Sequence, residues 1–309
     1  MCQPVRTGGV GKLTGVKRLI VNADDFGLTS GVNRAVIELH QRGVLTSATL
    51  MAKAAATDEA IALALANPTL GVGCHVVLVD GEPVLDPRRD IPHLADPING
   101  TFDRKLGDFV SSLYSLGGGY RPVAWIVEQI EAEAEAQIRL LEHHGLKLTH
   151  IDTHKHTHMF PRVLRPVLRA ARKAGIRCVR NPFEARWSLA ATPGAPLVRR
   201  AQVHLLRLLE PAFHRIVAEE GFTTTYGAAG VLATGTLDRA TVNSLLPHMP
   251  DGTWELVAHP GYNDGDLAKA RTRLLASRET EMDALEVLEA LKSSPDIQLL
   301  HFGQLHPNN

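Results

Sequence analysis

The chain has 309 residues, enough for one large α/β domain or for two ordinary domains. Its hydrophobic fraction of 44% and charged fraction of 21% are typical of a globular enzyme and exclude a disordered chain. The 33 basic side chains equal the 33 acidic ones in number, so the sequence shows no sign of the positive field of a nucleic-acid-binding protein. Three scattered cysteines are too few for a disulfide framework or a zinc knuckle.

The N-terminal residues favour a cytoplasmic protein. Residues 1–18 are rich in glycine and basic residues and contain no apolar segment of the kind that a secretory signal needs. No apolar run in the sequence approaches the length that spans a bilayer. We therefore expect a cytoplasmic location, with residues 1–17 as a flexible N-terminal extension.

Short apolar runs alternate with helical patterns from residue 18 onward. The first run, Leu19-Ile20-Val21, is typical of a strand buried on both faces. Thr29 or Ser30 is suited to cap the helix that follows, and Gly43 to end it. The further predicted strands are Val44–Leu50, Leu70–His75, Leu148–Asp152, Ile176–Arg180, Thr223–Tyr226, Trp254–Ala258 and Ile297–His301. This alternation predicts one α/β domain over residues 18–309, a barrel of seven or eight mainly parallel strands.

Two segments interrupt the alternation. Residues 80–107 are rich in proline and aspartate and predict a long loop over the mouth of the barrel. Residues 184–221 carry leucines at helical spacing with arginines between them, which predicts a helical insertion. The insertion is either an amphipathic helix packed on the barrel or a basic, apolar surface for a lipid-linked substrate or a membrane.

Unusual polar residues follow several of the predicted strands. In a parallel barrel, the carboxyl ends of all strands open onto one face, where such enzymes build their active sites. We therefore expect these side chains to lie near one another: Asp24 and Asp25, His75, the histidines from His150 to His158, Arg180 with Asn181, and His259.

Four histidines fall within nine residues, from His150 to His158. Imidazole is the commonest metal ligand in proteins. If Leu148–Asp152 is a strand, His154, His156 and His158 share a period of two just beyond its end, which predicts that they converge on one pocket. The alternative for the segment is a solvated polar loop.

The adjacent carboxylates of Asp24 and Asp25 repel each other unless a cation or a proton intervenes. A metal ion bound by one of them would leave the other nearby as a base. Asp25 with His75 and His154 would form a site of two histidines and one carboxylate, suited to Zn²⁺, Mn²⁺, Fe²⁺ or Co²⁺. Mg²⁺ prefers more oxygen ligands but is also allowed. We expect one divalent ion.

At these residues the sequence resembles the YdjC family of carbohydrate deacetylases. The matching motifs are Asn22-Ala23-Asp24-Asp25-Phe26-Gly27, Gly73-x-His75-x-x-Leu78 and Asp152-x-His154-x-His156-x-His158-Met159-x-Pro161. Three further segments are similar to the branch of the family associated with hopanoid lipid biosynthesis, and these are 79–85, 153–156 and 246–256. The resemblance implies a distorted TIM-like barrel that removes an acetyl group from an N-acetylated amino sugar.

The resemblance also implies a role for each site residue. Asp25, His75 and His154 become the metal ligands and Asp24 the catalytic base. His259 is similar in placement to a catalytic acid, and Arg180 to the arginine that orients the base. The residues expected to contact substrate or to support the ligands are His156, His158, Asn181 and Tyr226.

The hopanoid branch implies that the substrate is an N-acetylglucosaminyl hopanoid and the product its free amine. Its partners would then be a lipid-linked N-acetyl amino sugar, the inner face of the membrane by peripheral contact, and a second copy in a homodimer, with no nucleic acid. The alternatives are a deacetylase of soluble N-acetylated chito-oligosaccharides, a metal-dependent phosphoesterase, and a non-enzymatic metal- or glycan-binding protein.

Overall fold

The computed structural model describes residues 15–102, 105–114, 123–192 and 194–305. Most of the predicted N-terminal extension, residues 1–14, lies outside the described residues. Residue 17 of that extension already belongs to the first strand, because its backbone pairs with Gly252 and Ile297 on either side.

Within the described ranges, seven strands form one parallel sheet. They are β1 Lys17–Phe26, β2 Ser47–Leu50, β3 Gly71–Val76, β4 Ile151–Thr153, β5 Ala228–Ala229, β6 Gly252–Ala258 and β7 Ile297–Leu299. Six strands lie side by side in the order β4-β3-β2-β1-β6-β5, and β7 pairs with residues 17–19 of β1. All of these pairs are parallel, so the carboxyl ends of the strands share one edge.

Ten α-helices are found in the described part of the chain. They are α1 Ser30–Gln41, α2 Thr57–Ala66, α3 Leu106–Tyr114, α4 Val123–His143, α5 Pro161–Lys173, α6 Arg186–Ala191, α7 Leu197–Leu206, α8 Glu210–Glu219, α9 Arg239–His248 and α10 Ser277–Leu285. Thr29 caps α1 by accepting a hydrogen bond from Val32 N, and Pro161 opens α5. None of these helices is long and apolar enough to cross a membrane.

The predicted α/β class is confirmed, and the six strands on the sheet path curl into a half-barrel. Two predicted strands, 176–180 and 223–226, form only isolated parallel bridges, Ile151 with Val179 and Cys178 with Thr223. Beyond these bridges the Asn181 side chain donates to the carbonyl of Thr225, so a side-chain contact connects the two segments there. A barrel of seven or eight strands therefore remains a prediction.

The core has two parts, one on each face of β1. Leu19, Val21 and Ala23 belong to the large apolar cluster that includes the helices. Ile20 points the other way and joins a small cluster with Cys178, Leu300, Phe302 and Leu305. This small cluster fills the concave side of the sheet near the amino ends of the strands.

His150 belongs to this packing rather than to a binding site. Its ring is fully buried and stacks on Phe302 at a centroid distance of 4.0 Å. Its Nδ1 contacts Thr149 Oγ1 at 2.9 Å, and burial holds the pKa of the imidazole well below its ordinary value. The first histidine of the cluster is therefore a neutral core residue.

Two buried polar residues of α4 fix the segment that follows β3. Gln137 bonds both the N–H and the carbonyl of Val77, and Glu133 accepts hydrogen bonds from the N–H groups of Val84 and Leu85. Residues 80–102 contain turns but no helix or strand, and α3 begins at Leu106. The predicted long loop is thus anchored to a helix on the outside of the sheet.

Close packing around His150 gives a test of this core. A Cβ atom added at Gly73 would lie 2.5 Å from Cε1 of His150, whose ring is held by Phe302. Gly73→Ala should therefore lower the free energy of unfolding by about 1–3 kcal/mol through overpacking, measured by urea denaturation. Gly107→Ala is the control, because that site is open and lies in α3, where alanine is favourable. Equal stability of the two variants would contradict this packing.

Candidate active site

The end of β1 brings two adjacent carboxylates to one site. Successive residues of a regular strand point to opposite faces, so Asp24 and Asp25 would normally diverge. The pairing of β1 with β2 is irregular between Ala23 and Phe26, and Asp25 has a left-handed backbone with φ of 63°. This bulge turns both side chains into the same cluster, an arrangement that bulges often produce next to active sites.

Asp25, His75 and His154 form a triangle of potential ligand atoms. Asp25 Oδ1 lies 3.5 Å from His75 Nε2 and 3.3 Å from His154 Nδ1, and the two nitrogens are 3.3 Å apart. Four ligands placed tetrahedrally at about 2.1 Å from a metal ion are about 3.4 Å from one another. The triangle therefore has the size of three corners of such a site, with the remaining corner open.

The charges around this triangle are also suited to a cation. The Nδ1 atom of His75 is 2.7 Å from Asp152 Oδ1, which makes it the donor and leaves Nε2 facing the carboxylate of Asp25. Burial alone would lower the pKa of His75, but Asp152 and Asp25 outweigh it and raise that pKa to about 10. Asp25 Oδ1 is buried without a hydrogen-bond partner. A divalent ion bound here would take the place of the proton between His75 Nε2 and Asp25 Oδ1.

A second group of possible ligands, Asp24, His75 and Asp152, is already committed to other contacts. Its ligand atoms also lie within 4.8 Å of one another. However, both oxygens of Asp24 accept from Arg180, and those of Asp152 accept from His75 and Arg180. Of the two groups, Asp25, His75 and His154 are therefore the better candidates to hold a metal ion.

Arg180 joins the buried carboxylates of the site. It is fully buried and forms a bidentate pair with Asp24 at 2.6 and 2.7 Å. It also contacts Asp152 and bonds Glu255 Oε1 at 2.8 Å. Burial opposes ionisation of Asp24, but Arg180 outweighs it and keeps the pKa of Asp24 well below its ordinary value. Burial raises the pKa of Glu255 to about 7.

Arg278 fixes the second oxygen of Asp25. This arginine of α10 is fully buried and donates from Nη2 to Asp25 Oδ2 at 2.6 Å. Its Nε donates to the carbonyl of Leu274, so the guanidinium is held from two sides. Because Oδ2 is taken by Arg278, Oδ1 is left as the oxygen of Asp25 that faces the two histidines.

His259 directly follows β6 and lies next to Asp24. Its Nε2 is 3.7 Å from Asp24 Oδ2, and its Nδ1 is 3.4 Å from Glu281 Oε2, which also accepts from the His259 N–H at 2.6 Å. Burial would lower the pKa of His259, but the carboxylate of Glu281 and that of Asp24 raise it above the ordinary value. This arrangement favours a protonated imidazole near neutral pH.

The period-two prediction for the histidine cluster is wrong. Residues 154–159 form a 3₁₀ turn, with left-handed backbones at Lys155 and His156, instead of extending β4. His154 alone therefore turns toward Asp25 and His75. His158 is fully buried, with Nδ1 2.8 Å from Thr153 Oγ1 and Nε2 3.2 Å from the carbonyl of Arg180. Both ring nitrogens of His158 are thus taken by protein groups next to the site, which favours a supporting role over a contact with substrate.

His156 and Lys155 follow His154 in the turn after β4. His156 is half-buried, and burial lowers its pKa to about 3, so the ring is neutral. The ammonium group of Lys155 contacts the carboxylate of Asp80, whose backbone is also left-handed. This ion pair connects the turn after β4 to the loop after β3.

Two predicted contact residues do not reach the site. Asn181 is buried, and its side chain bonds Thr225 O and Phe183 N, so it shapes the chain after Arg180. Tyr226 packs its ring against Gly252 and Trp254 at the amino end of β6, whereas His259 follows the carboxyl end. Tyr226 therefore lies at the opposite edge of the sheet from His259, and the structure does not bring it to the site that it was expected to support or to complete for substrate.

Sequence reasoning missed several members of the site, namely Asp152, Glu255, Arg278 and Glu281. Asp152 lies within the histidine motif, and a carboxylate among four histidines indicates a residue that orients a ligand imidazole. Arg278 and Glu281 lie one turn apart on α10 and resemble an ordinary solvated pair. Only the packing of α10 against the end of β1 distinguishes them.

The chain matches the YdjC-like protein family over residues 18–293. It is 33% identical to a carbohydrate deacetylase of Brevibacillus brevis over 294 residues, which is 93% of this chain and 99% of the relative. Carbohydrate deacetylases of Geobacillus stearothermophilus and Thermoanaerobacter pseudethanolicus are 36% and 28% identical, covering 81% and 92% of this chain and 81% and 97% of the relatives.

A solved structure shares the fold. It is that of a proposed cellobiose-phosphate cleavage protein of Enterococcus faecalis, 26% identical, with a TM-score of 0.71 over 93% of this chain and 98% of that one. The family match and the near full-length relatives agree with the motifs around Asp24 and His154. The chain belongs to the YdjC-like family.

Proposed function

We propose that this protein is a metal-dependent hydrolase that removes the acetyl group from an N-acetylated amino sugar. The observation that carries the proposal is the triangle of Asp25 Oδ1, His75 Nε2 and His154 Nδ1. The carboxylate of Asp24 and the imidazole of His259 lie beside this triangle. The names of the three relatives, all carbohydrate deacetylases, support the same reaction. Amide hydrolysis needs an activated water, an electrophilic carbonyl and a proton for the leaving nitrogen.

A divalent ion held by Asp25, His75 and His154 would polarise the acetamide carbonyl and lower the pKa of the attacking water. Asp24 is the base in our proposal, since a carboxylate oxygen of Asp24 lies within 4.8 Å of a ring nitrogen of His75. It would accept the proton of the water that adds to the carbonyl carbon. Arg180 keeps it ionised at every working pH and fixes its direction.

His259 is the proton donor in our proposal. The amine cannot leave as an anion, so the nitrogen must gain a proton as the C–N bond breaks. Glu281 Oε2 lies 3.4 Å from Nδ1 of His259, which leaves Nε2 as the ring nitrogen that faces Asp24. In this proposal the carboxylate of Asp24 is the base, and the imidazolium of His259 is the acid.

A phosphoesterase reaction on the same fold is less well supported. Phosphoryl transfer frequently uses two metal ions about 4 Å apart. In the described part of the chain, the second group of candidate ligands shares His75 with the first, and Arg180 holds its carboxylates. The site thus favours one metal ion.

We further propose that the amino sugar is linked to a hopanoid lipid. This proposal depends on the similarity of residues 79–85, 153–156 and 246–256 to the hopanoid-associated branch. The matching experiment measures acetate release from N-acetylglucosaminyl hopanoid and from N-acetylated chito-oligosaccharides under the same conditions. We expect kcat/KM to be higher for the hopanoid substrate by at least about tenfold. That ratio corresponds to a difference of about 1.4 kcal/mol in the activation free energy. Equal or higher values for the chito-oligosaccharides would contradict the lipid-linked substrate and leave the deacetylase proposal standing.

Metal binding tests the ligand assignment directly. His154→Ala should abolish tight Zn²⁺ binding in isothermal titration, because it removes one of three protein ligands. Asp152→Asn should weaken binding by about 10–100-fold, because Asp152 orients His75. His143→Ala, at an exposed histidine of α4, is the control and should bind like the natural protein. Unchanged affinity in His154→Ala would contradict the assignment.

Asp24→Asn separates catalysis from binding. The variant keeps Asp25, His75 and His154, so we expect Zn²⁺ affinity within a few-fold of the natural protein. Acetate release should fall by about 10²–10⁴-fold, the usual contribution of a general base. A non-catalytic metal- or glycan-binding protein would show no acetate release in either form. Retained turnover in Asp24→Asn would exclude Asp24 as the base.

The pH profile tests His259. Because its protonated form is the donor, kcat/KM on a soluble N-acetyl sugar should fall as pH rises through its pKa, which lies above 6.5. Glu281→Gln removes the carboxylate that raises this pKa, so the falling limb should move to lower pH by roughly one unit. Asp283→Asn removes an exposed charge from the same helix and should leave the limb in place. An unmoved limb in Glu281→Gln would exclude His259 as the titrating acid.

A further inference from the structure

Helix α7 carries an exposed apolar strip that no described element covers. Leu197, Val198, Leu205 and Leu208 are 83%, 72%, 67% and 74% exposed, and α7 has no buried residue. Leu197, Ala201 and Leu205 follow one another at intervals of four residues and share one face of α7, and Leu208 lies three residues further on, in the 3₁₀ turn Arg207–Leu209 that continues the helix. We call these five residues the α7 strip. A continuous apolar surface of this kind marks an interaction site.

The surroundings of the α7 strip are basic. Residues 185–209 contain four arginines, one histidine and no acidic residue. Arg199 and Arg200 donate to backbone carbonyls rather than to carboxylates, and Arg186 is exposed. Arg207 pairs with Glu210, which belongs to α8. The segment therefore presents a net positive charge next to its apolar residues.

A groove beside the strip gathers part of this charge. It has a volume of about 650 Å³ and lies between α6, α7 and α8. Arg186, Arg200 and Arg207 line it together with Leu208 of the strip, and Glu210, the partner of Arg207, is the one carboxylate among the described residues that line it. Cationic and apolar groups thus alternate on one surface, as in helices that lie in the interface of an anionic bilayer.

The strip lies at the same edge of the sheet as the active site. Arg207 donates to the carbonyl of Glu184, four residues beyond Arg180. Arg199 donates to the carbonyls of Val231 and Thr234, which follow β5. Both anchor points come just after the carboxyl ends of sheet segments. The contacts that attach α7 and the turn after it to the domain are therefore made just beyond that edge.

We propose that the α7 strip docks this protein on an anionic lipid surface. A second copy of the chain is the less favourable occupant, because a two-fold interface would place the same arginines of both copies against each other. A lipid surface buries the leucines among acyl chains and supplies the anions. The proposal concerns binding and stands apart from the reaction, so a failure of either leaves the other testable.

Vesicle binding tests the proposal with the full chain. Sedimentation with vesicles of phosphatidylglycerol and phosphatidylcholine in a 3:7 ratio is compared with pure phosphatidylcholine. We expect binding to the anionic vesicles only, weakened by added salt because the attraction is electrostatic. The double variant Leu205→Gln, Leu208→Gln should reduce the partition coefficient by roughly tenfold or more, since two leucines no longer enter the bilayer.

A matched control and a solution measurement complete the test. Ile98 is 83% exposed, like Leu197, but lies in the loop after β3, so Ile98→Gln should bind as the natural protein does. The midpoint of urea unfolding should be nearly the same in all three proteins, which shows that they are folded whether or not they release acetate. No binding to anionic vesicles, equal binding to neutral ones, or equal losses in Ile98→Gln would overturn the proposal. A dimer in sedimentation equilibrium that the double variant abolishes would also overturn it, by identifying a second copy as the occupant.

Discussion

The burial of several carboxylates around one end of β1 is the constraint on which the site depends. A buried charge is costly unless it is paired and hydrogen-bonded. Arg180 and Arg278 supply two positive charges for a larger number of acidic groups, which are Asp24, Asp25, Asp152, Glu255 and Glu281. The excess of carboxylates favours protonation of the neighbouring histidines, and the pKa of His75 rises to about 10 as a result. A divalent ion between Asp25, His75 and His154 would neutralise this excess and relieve the histidines of that proton.

The two arginines give the adjacent aspartates different tasks. Arg180 holds both oxygens of Asp24, which keeps that carboxylate ionised and pointed toward His259. Arg278 holds one oxygen of Asp25 and leaves the other facing His75 and His154. Because Arg180 lowers the pKa of Asp24, this carboxylate is a weak base. Our proposed reaction therefore relies on a metal ion to lower the pKa of the water. The division between ligand and base thus follows from which oxygens each arginine occupies.

Much of this site could be predicted from sequence because its residues follow strands. Asp24, Asp25, His75, His154, Arg180 and His259 all lie just beyond or at the ends of predicted segments. Parallel pairing places those ends on one edge, so position in the strand pattern was enough to group them. The bulge at Asp25 and the left-handed turn at Lys155 and His156 were not predictable, since non-glycine residues rarely adopt positive φ. That turn is the reason that the histidines do not alternate.

The remaining errors concern long-range packing. Nothing local distinguishes Arg278 and Glu281 from surface residues of a helix, and both become buried only because α10 packs beside β1 and β6. Tyr226 ends a predicted strand, yet that segment forms no ladder and its ring packs beside Gly252. Residues 176–180 and 223–226 likewise pair only through single-residue bridges, and the Asn181 side chain donates to the carbonyl of Thr225 beyond them. The leucines of residues 184–221 predict helices, and α6, α7 and α8 lie there, but the sequence left open whether the apolar face packs on the domain or stays exposed.

The central claim is that one metal ion, held by Asp25, His75 and His154, makes this protein a deacetylase. The most direct measurement removes bound metal with a chelator and then adds Zn²⁺ in steps while acetate release from an N-acetylated amino sugar is followed. The account predicts no turnover in the metal-free protein and a rise that reaches its plateau at one equivalent per chain. Full turnover without metal, or a plateau that requires two equivalents, would contradict it.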